Sequence, residues 1–230
     1  MNFLSHFYFD RHTIDTLQVV GIVLPDLVKN AKKDWNIHPE KNEHKFSADS
    51  GLSQILKGWN RHLEVDKYFH SSEFFKEHTS EIRTAVAPFL ENSPARAFFV
   101  AHIALELMLD SLLLTESVLN TENFYRHLST CDREVLHRFL QLNNIEQPQI
   151  FFSFFDEFIE AEYLNTYREA DKIVYAINQI CRRIWLDPFS ETQKLQLTAV
   201  LIDYQLNLRN EFMHIFDQID ESLNKNAFMQ

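Results

Sequence analysis

The sequence predicts an all-α fold, and three observations carry that expectation. Only three glycines, Gly21, Gly51 and Gly58, occur in 230 residues, too few for a hairpin-rich sheet protein or for a Gly-rich phosphate loop. Apolar residues recur at helical rather than alternating spacing. The gaps between periodic stretches carry helix punctuation, as in Glu91-Asn92-Ser93-Pro94, Asp187-Pro188 and Ser190-Glu191. Hydrophobic residues make up 45% of the chain and Phe alone contributes 21 positions, so a large core rich in aromatic rings is expected. No linker, internal repeat or low-complexity tract interrupts the chain. Residues 1–230 are therefore read as a single domain of about seven to nine helices, with a frayed tail from about residue 224.

In chain order, a first short segment runs from Asn2 to about His12, and a helix near Ile14 to Asn30 contains GIVLPDLVKN, with Pro25 kinking or restarting it. The polar, aperiodic stretch AKKDWNIHPEKNEHKFSAD is the main surface loop before a helix from Ser50 to about His70. A helix over Ser72 to Leu90 follows. Ser93 and Pro94 then read as N-cap and first-turn proline of an apolar helix from Ala95 to about Thr115. Asn120 to Leu140 reads as one helix, interrupted or preceded by a turn. NNIEQP is a loop, Ile150 to Glu162 is aromatic, and Tyr163 to Leu186 has helical spacing with its charges on polar faces. A last long helix opens at Ser190-Glu191 and runs to about Leu223.

Charge and composition exclude several function classes. A net charge of -11 with no basic stripe argues against nucleic acid as a partner. Cys131 and Cys181 stand without a CxxC pattern, which rules out a cysteine zinc site and fits a reducing cytoplasm. His6 and Asp10 interrupt the apolar N-terminus before it could serve as a secretory h-region. The stretch Ala97 to Leu114 approaches membrane-spanning length, yet it contains His102, Glu106 and Asp110, each costly in lipid. It reads as a buried core helix.

Those three residues form a ladder at spacing four, and the helix from Ser50 carries a second one, His62-Asp66-His70. Ionisable groups inside an apolar helix cost several kcal/mol each unless a partner, a metal or water meets them. Two facing ladders could build a metal centre. Each four-residue step advances about 6 Å and rotates about 40°, so the ends of a ladder lie about 12 Å apart and one ion cannot bind all three rungs. Adjacent rungs can chelate one ion. Imidazole with carboxylate, and no thiolate, selects a borderline or hard divalent metal, with Mn²⁺ as the leading choice and Mg²⁺, Fe²⁺ or Zn²⁺ as the others. The competing reading of the first ladder is an ion-paired, solvated helix face; that of the second is a structural hydrogen-bond network. His12, His38, His44, His78, His127 and His137 read as ordinary surface residues. Glu211 and His214 have Glu-x-x-His spacing, but a ferritin-like site needs two such motifs.

The opening MNFLSHFYF, the segment GIVLPDLVKN and the segment GWNRHLEVDKYFHSSEFF together resemble the acyl carrier protein phosphodiesterase family. On that pattern His6, Asp26, His62 and Asp66 fall on family positions. ELMLDSLLL resembles the family's D-V-x-x-D-H-F-L helix and places Glu106 and Asp110 on its two acidic positions, while YLNTYREADKIVYAINQICRR resembles its late helix. The resemblance implies an HD-domain-like helical bundle related to the HD-type metal-dependent phosphohydrolases. It implies removal of the 4'-phosphopantetheine arm from holo-acyl carrier protein, with acyl carrier protein as partner. Asp26, His62, Asp66 and Asp110 are the implied catalytic group. His6, Asp26, His62, Asp66, Glu106 and Asp110 are the implied metal set, with His70 and His102 as outer rungs. The carrier is acidic, so a local basic patch is needed to steer encounter; Lys29, Lys32 and Lys33, extended by Lys57 and Arg61, are the candidates. The sequence departs from the family at Ser111, where a histidine is expected after the acid, and at Asn60 and Leu63. Two alternatives therefore stand beside the main reading: an HD-like phosphohydrolase acting on a nucleotide or other small phosphoester, and a catalytically inactive helical interaction protein on the same fold.

Overall fold

The computed structural model describes residues 1–227, and among them it contains eleven α-helices, four short 3₁₀ segments and no strand. In order these are α1 (Phe3–Tyr8), α2 (Thr16–Ala31), α3 (Ser50–Ser71), α4 (Glu73–Val86), α5 (Ala97–Thr115), α6 (Thr121–Ser129), α7 (Arg133–Leu142), α8 (Pro148–Ala161), α9 (Ala170–Arg182), α10 (Glu191–Leu208) and α11 (Met213–Ala227). The fold is all-α, with more helices than the apolar periodicity suggested. Each surplus helix comes from a break that no Gly or Pro announces. Asp132 caps α7 by accepting from the N–H groups of Glu134 and Val135, which splits the segment expected to be one helix from Asn120 to Leu140. The expected last long helix is divided at 209–212. There burial of Phe212, Ile215 and Phe216 takes over from α10, whose Leu195 and Leu206 are exposed. Where the tail was expected to fray, α11 continues to Ala227; the remaining positions lie outside the described residues.

Ser93-Pro94 does not open α5. The Ser93 hydroxyl donates to the Pro188 carbonyl and accepts from Ala95 N–H, closing a turn of its own, and the helix starts at Ala97 with Arg96 as its cap. Elsewhere the punctuation acts as expected. Ser72 accepts from Phe75 N–H at the start of α4, and Ser190 with Gln193 forms a reciprocal capping box on α10.

Two compact units divide the chain, each assembled from segments distant in sequence. One comprises residues 1–5, 67–119 and 164–230. Its centre is α5, which packs against α4, α9 and α10. By length and composition α5 could cross a membrane, but 72% of its most apolar window is covered by protein, as befits a core helix. The other unit comprises residues 6–66 and 120–163. There α2, buried from Gln18 to Leu24, packs against α6 and α8. The expected aromatic core is found here: Phe7 tilts onto Phe124, Phe46 onto Phe139, and Phe151 stacks on Phe155.

In this second unit α2 and α3 approach to backbone contact. A Cβ on Gly21 would collide with the Ile55 carbonyl, and one on Gly58 with the Gln18 carbonyl. Hydrogen in place of a side chain at both positions is what permits the approach. The sequence reading used these glycines only to exclude other folds. Two histidines read as surface residues are also buried: His78 bonds the Tyr204 hydroxyl at 2.6 Å, and His127 bonds the Thr16 hydroxyl at 3.2 Å. Both sit in polar sequence, but their helices turn them inward with one nitrogen satisfied.

Candidate metal centres

Close approach of α2 and α3 brings the His62 ring onto the α2 backbone, where its Nδ1–H donates to the Ile22 carbonyl at 2.8 Å. With the proton fixed on Nδ1, the neutral ring carries its lone pair on Nε2, which lies 3.6 Å from Asp66 Oδ2 one turn along α3. The ring of His6, from α1, stacks on that of His62 with centroids 3.8 Å apart and planes 16° from parallel. His6 Nε2 lies 3.2 Å from the other Asp66 oxygen. His6 Nδ1 has no hydrogen-bond partner among the described residues, although the side chain is fully buried.

The electrostatics follow from this enclosure. Burial, reinforced by neighbouring His62, lowers the His6 pKa to about 4, and contact with Asp66 only partly opposes it, so at neutral pH His6 is an uncharged imidazole. Burial works against the Asp66 carboxylate, but the contact with His6 and the neighbouring positive groups together outweigh it and hold the acid well below its usual range. Two imidazoles and one ionised carboxylate thus place donor atoms within 4.8 Å of one another. Two buried imidazoles and a carboxylate converging in this way form a donor set that a divalent cation would join. The residues fit a metal.

Asp26 lies on α2 one turn beyond Ile22, hence on the helix face that carries the His62 acceptor, and is half-buried. Arg61 on α3 is engaged by Asp10 at 3.4 Å and Glu64 at 3.6 Å. Among the lysines, Lys32 lies over the Trp35 ring and Lys33 is exposed just past the end of α2.

The other compact unit holds a second group. His70 Nε2, His102 Nε2 and Glu106 Oε1 form a triangle with edges of 3.3, 3.3 and 3.0 Å. The α-amino group of Met1 lies 3.2 Å from the same glutamate oxygen. Burial would raise the Glu106 pKa, but the Met1 ammonium and the two histidines hold it well below the usual carboxylate range. Asp110, one turn on, has different partners. Its oxygens accept from Asn2 Nδ2, the Leu4 and Ser5 N–H groups and the Ser5 hydroxyl, at 2.9, 3.1, 2.8 and 2.6 Å. It thus satisfies the otherwise unpaired donors that open α1. Burial pushes this carboxyl up to about 6 in spite of those donors. Ser111 accepts from Gln205 Nε2 at 2.9 Å.

Each sequence ladder is therefore shared out. His62 and Asp66 group with His6, while His70 groups with His102 and Glu106. The role of Asp110 at the start of α1 left no sequence signal beyond its burial in an apolar helix.

A family model described as acyl carrier protein phosphodiesterase matches residues 1–219. Curated proteins and solved structures yield no match.

Proposed function

Because the chain belongs to the acyl carrier protein phosphodiesterase family, we propose that it is a metal-dependent phosphodiester hydrolase that releases 4'-phosphopantetheine from holo-acyl carrier protein. The observation that carries the metal dependence is the convergence of ligand atoms from His6, His62 and Asp66 within 4.8 Å, with both imidazoles buried. His6, His62 and Asp66 would hold the ion, and Asp26 would complete the set from α2. Mn²⁺ is the leading candidate among the divalent ions that accept imidazole together with carboxylate oxygen, with Mg²⁺, Fe²⁺ and Zn²⁺ as the others. A divalent ion bound there supplies Lewis acidity toward the phosphodiester and acidifies a bound water.

The chain's own residues supply the remainder. The Ile22 carbonyl fixes the His62 tautomer, so that Nε2 rather than Nδ1 faces the centre. Enclosure keeps His6 neutral and able to ligate at pH 7. Asp66, 31% exposed at its side chain, is the member that opens the group toward solvent and hence toward a substrate. Asp26 would accept a proton from the attacking water. Lys29, Lys32 and Lys33 at the end of α2 form the basic patch that would meet the acidic carrier, whereas Arg61 is already committed to Asp10 and Glu64. Residues 1–230 act as one hydrolase-like domain, in a reducing cytoplasm where buried Cys131 and Cys181 remain thiols.

Mass spectrometry of holo-carrier incubated with the protein and Mn²⁺ tests this reading. The carrier is expected to lose its phosphopantetheine arm and become the apo form. An unchanged carrier mass with folded protein would refute it. A binding role without catalysis is the second reading, favoured by Ser111, whose bond to Gln205 commits to packing the position where the family carries a histidine. In that case the carrier would bind but leave intact.

A further inference from the structure

The triangle of His70, His102 and Glu106 is crowded for a hydrogen-bond network. Three potential donors, the two Nε2 atoms and the Met1 ammonium, converge on a single oxygen, Glu106 Oε1. If both imidazoles carried their protons on Nε2, two N–H groups would face each other across 3.3 Å. If either does not, its lone pair points into the same small space. The edges of 3.0 to 3.3 Å are those expected between neighbouring ligands of one ion. Bonds of about 2.1 Å give separations of about 3.0 Å at right angles and about 3.4 Å at tetrahedral angles. Two histidines and one carboxylate on one side of an ion also leave its other positions open.

Those open positions would face a groove. A cavity of about 380 Å³ adjoins the triangle, and His70 and His102 form part of its wall. Lys76, Thr79, Ser80 and Arg83 line it from α4 at spacings of three, four and seven, one face of that helix. Phe75 meets the His102 ring edge-on at 5.0 Å, and Phe98 adds an apolar surface that is 64% exposed. Glu73 already pairs with Lys76 at 2.6 Å, which leaves Arg83 as the principal cation for an incoming anion. Planar guanidinium with nearby hydroxyls suits the oxygens of a phosphate group.

We propose that His70, His102 and Glu106 form a second divalent-cation site, with ligands separate from those of His6, His62 and Asp66, and that the adjoining groove binds a phosphate-bearing ligand through the ion and Arg83. The apolar wall at Phe98 assigns the ligand as an ester with an apolar portion rather than free phosphate alone. This site stands or falls independently of the phosphodiesterase reading, because it is tested by metal and anion binding without carrier protein.

The test uses the full chain, stripped with chelator and titrated with Mn²⁺. Two equivalents are expected to bind the wild type, and one each to His102→Gln and His62→Gln. Since His102 is half exposed, its substitution should leave the helical circular dichroism unchanged. Two equivalents retained by folded His102→Gln would overturn the proposal. Crystals soaked in Mn²⁺ provide a measurement that needs no variant: an anomalous peak within the triangle supports the site, and its absence at full occupancy of the other site refutes it. For the groove, inorganic phosphate is titrated in the presence of Mn²⁺. Arg83→Ala is expected to weaken its affinity about tenfold, and an unchanged affinity would remove the anion-binding half of the proposal.

Discussion

The two groups of histidines and carboxylates use the same chemistry at opposite degrees of enclosure. In the group of His6, His62 and Asp66 both imidazoles are buried, one nitrogen is fixed by the Ile22 carbonyl, and the carboxylate alone reaches solvent. In the group of His70, His102 and Glu106 both imidazoles are part-exposed beside a groove and the carboxylate is the most buried member. Enclosure sets protonation in the first, since a ring that cannot be solvated stays neutral and ready to ligate. Access governs the second. On the proposed reading, the enclosed group is a reaction centre whose ligands are preset, and the open group is a binding centre whose ligands exchange with solvent.

The sharpest way to break this comparison is to remove one carboxylate from each group. Asp66→Asn is expected to lower kcat/KM toward holo-carrier by about 10²- to 10³-fold, the scale for loss of one electrostatic contact to a transition state. Glu106→Gln is expected to lower it by less than about tenfold. Steady-state kinetics with saturating Mn²⁺ would read both, and the reverse ranking would move the reaction to the open group.

A second test strikes the support of the enclosed group rather than its ligands. Gly58→Ala places a methyl against the Gln18 carbonyl and forces α2 and α3 apart, at a cost of about 3 kcal/mol. That corresponds to a fall in Tm of about 6–12 °C for a chain of this size. The same displacement lengthens the His62 to Ile22 bond, so metal affinity should drop with stability. An alanine variant with unchanged Tm and metal affinity would show that close approach of the helices is not what sets the His62 ring.

This last dependence shows where the sequence was legible and where it was not. Helix class, the core role of α5 and the pairing of His62 with Asp66 all follow from spacing along one helix, which the chain encodes locally. Helix ends at Asp132 and near Arg209 were harder, because caps and changes of buried face replace Gly and Pro there. The partners of each ladder were legible only in part. The resemblance put His6 with His62 and Asp66 and set His70 and His102 apart as outer rungs, but that Glu106 joins His70 and His102 depends on how helices pack. Gly21 and Gly58 did carry the needed signal, since a glycine inside a helix costs stability and marks a close approach of backbones. Asp110 has a structural role that the sequence did not show, since a buried acid at ladder spacing is also what a helix start needs as an acceptor.

Asp110 offers a smaller, pH-dependent test of that role. Its carboxyl titrates near 6 in the folded chain against an ordinary value of 3.8. Between these values the native state holds a proton that the unfolded state has released, so stability falls as pH rises through the window. The effect is worth about 2–3 kcal/mol in total. Asp110→Asn cannot titrate, so the advantage of wild type over the variant should be largest near pH 4 and shrink by that amount by pH 7. Denaturant unfolding at several pH values measures it, and a difference that grows with pH would mean that the four donors keep the native carboxylate ionised.

The weakest expected effect concerns encounter rather than chemistry, and it separates the basic patch from both metal groups. Lys33 is exposed beyond the end of α2 and belongs to neither group of ligands. Reversing it with Lys33→Glu changes the local field met by an acidic carrier while leaving the ligands in place. At low ionic strength kcat/KM should fall about two- to fivefold with kcat unchanged, and the deficit should shrink as salt screens the surface. Arg61→Glu would confuse this test, because it also breaks the pairs with Asp10 and Glu64. A Lys33→Glu deficit that persists at high salt would indicate a short-range contact to the carrier in place of steering.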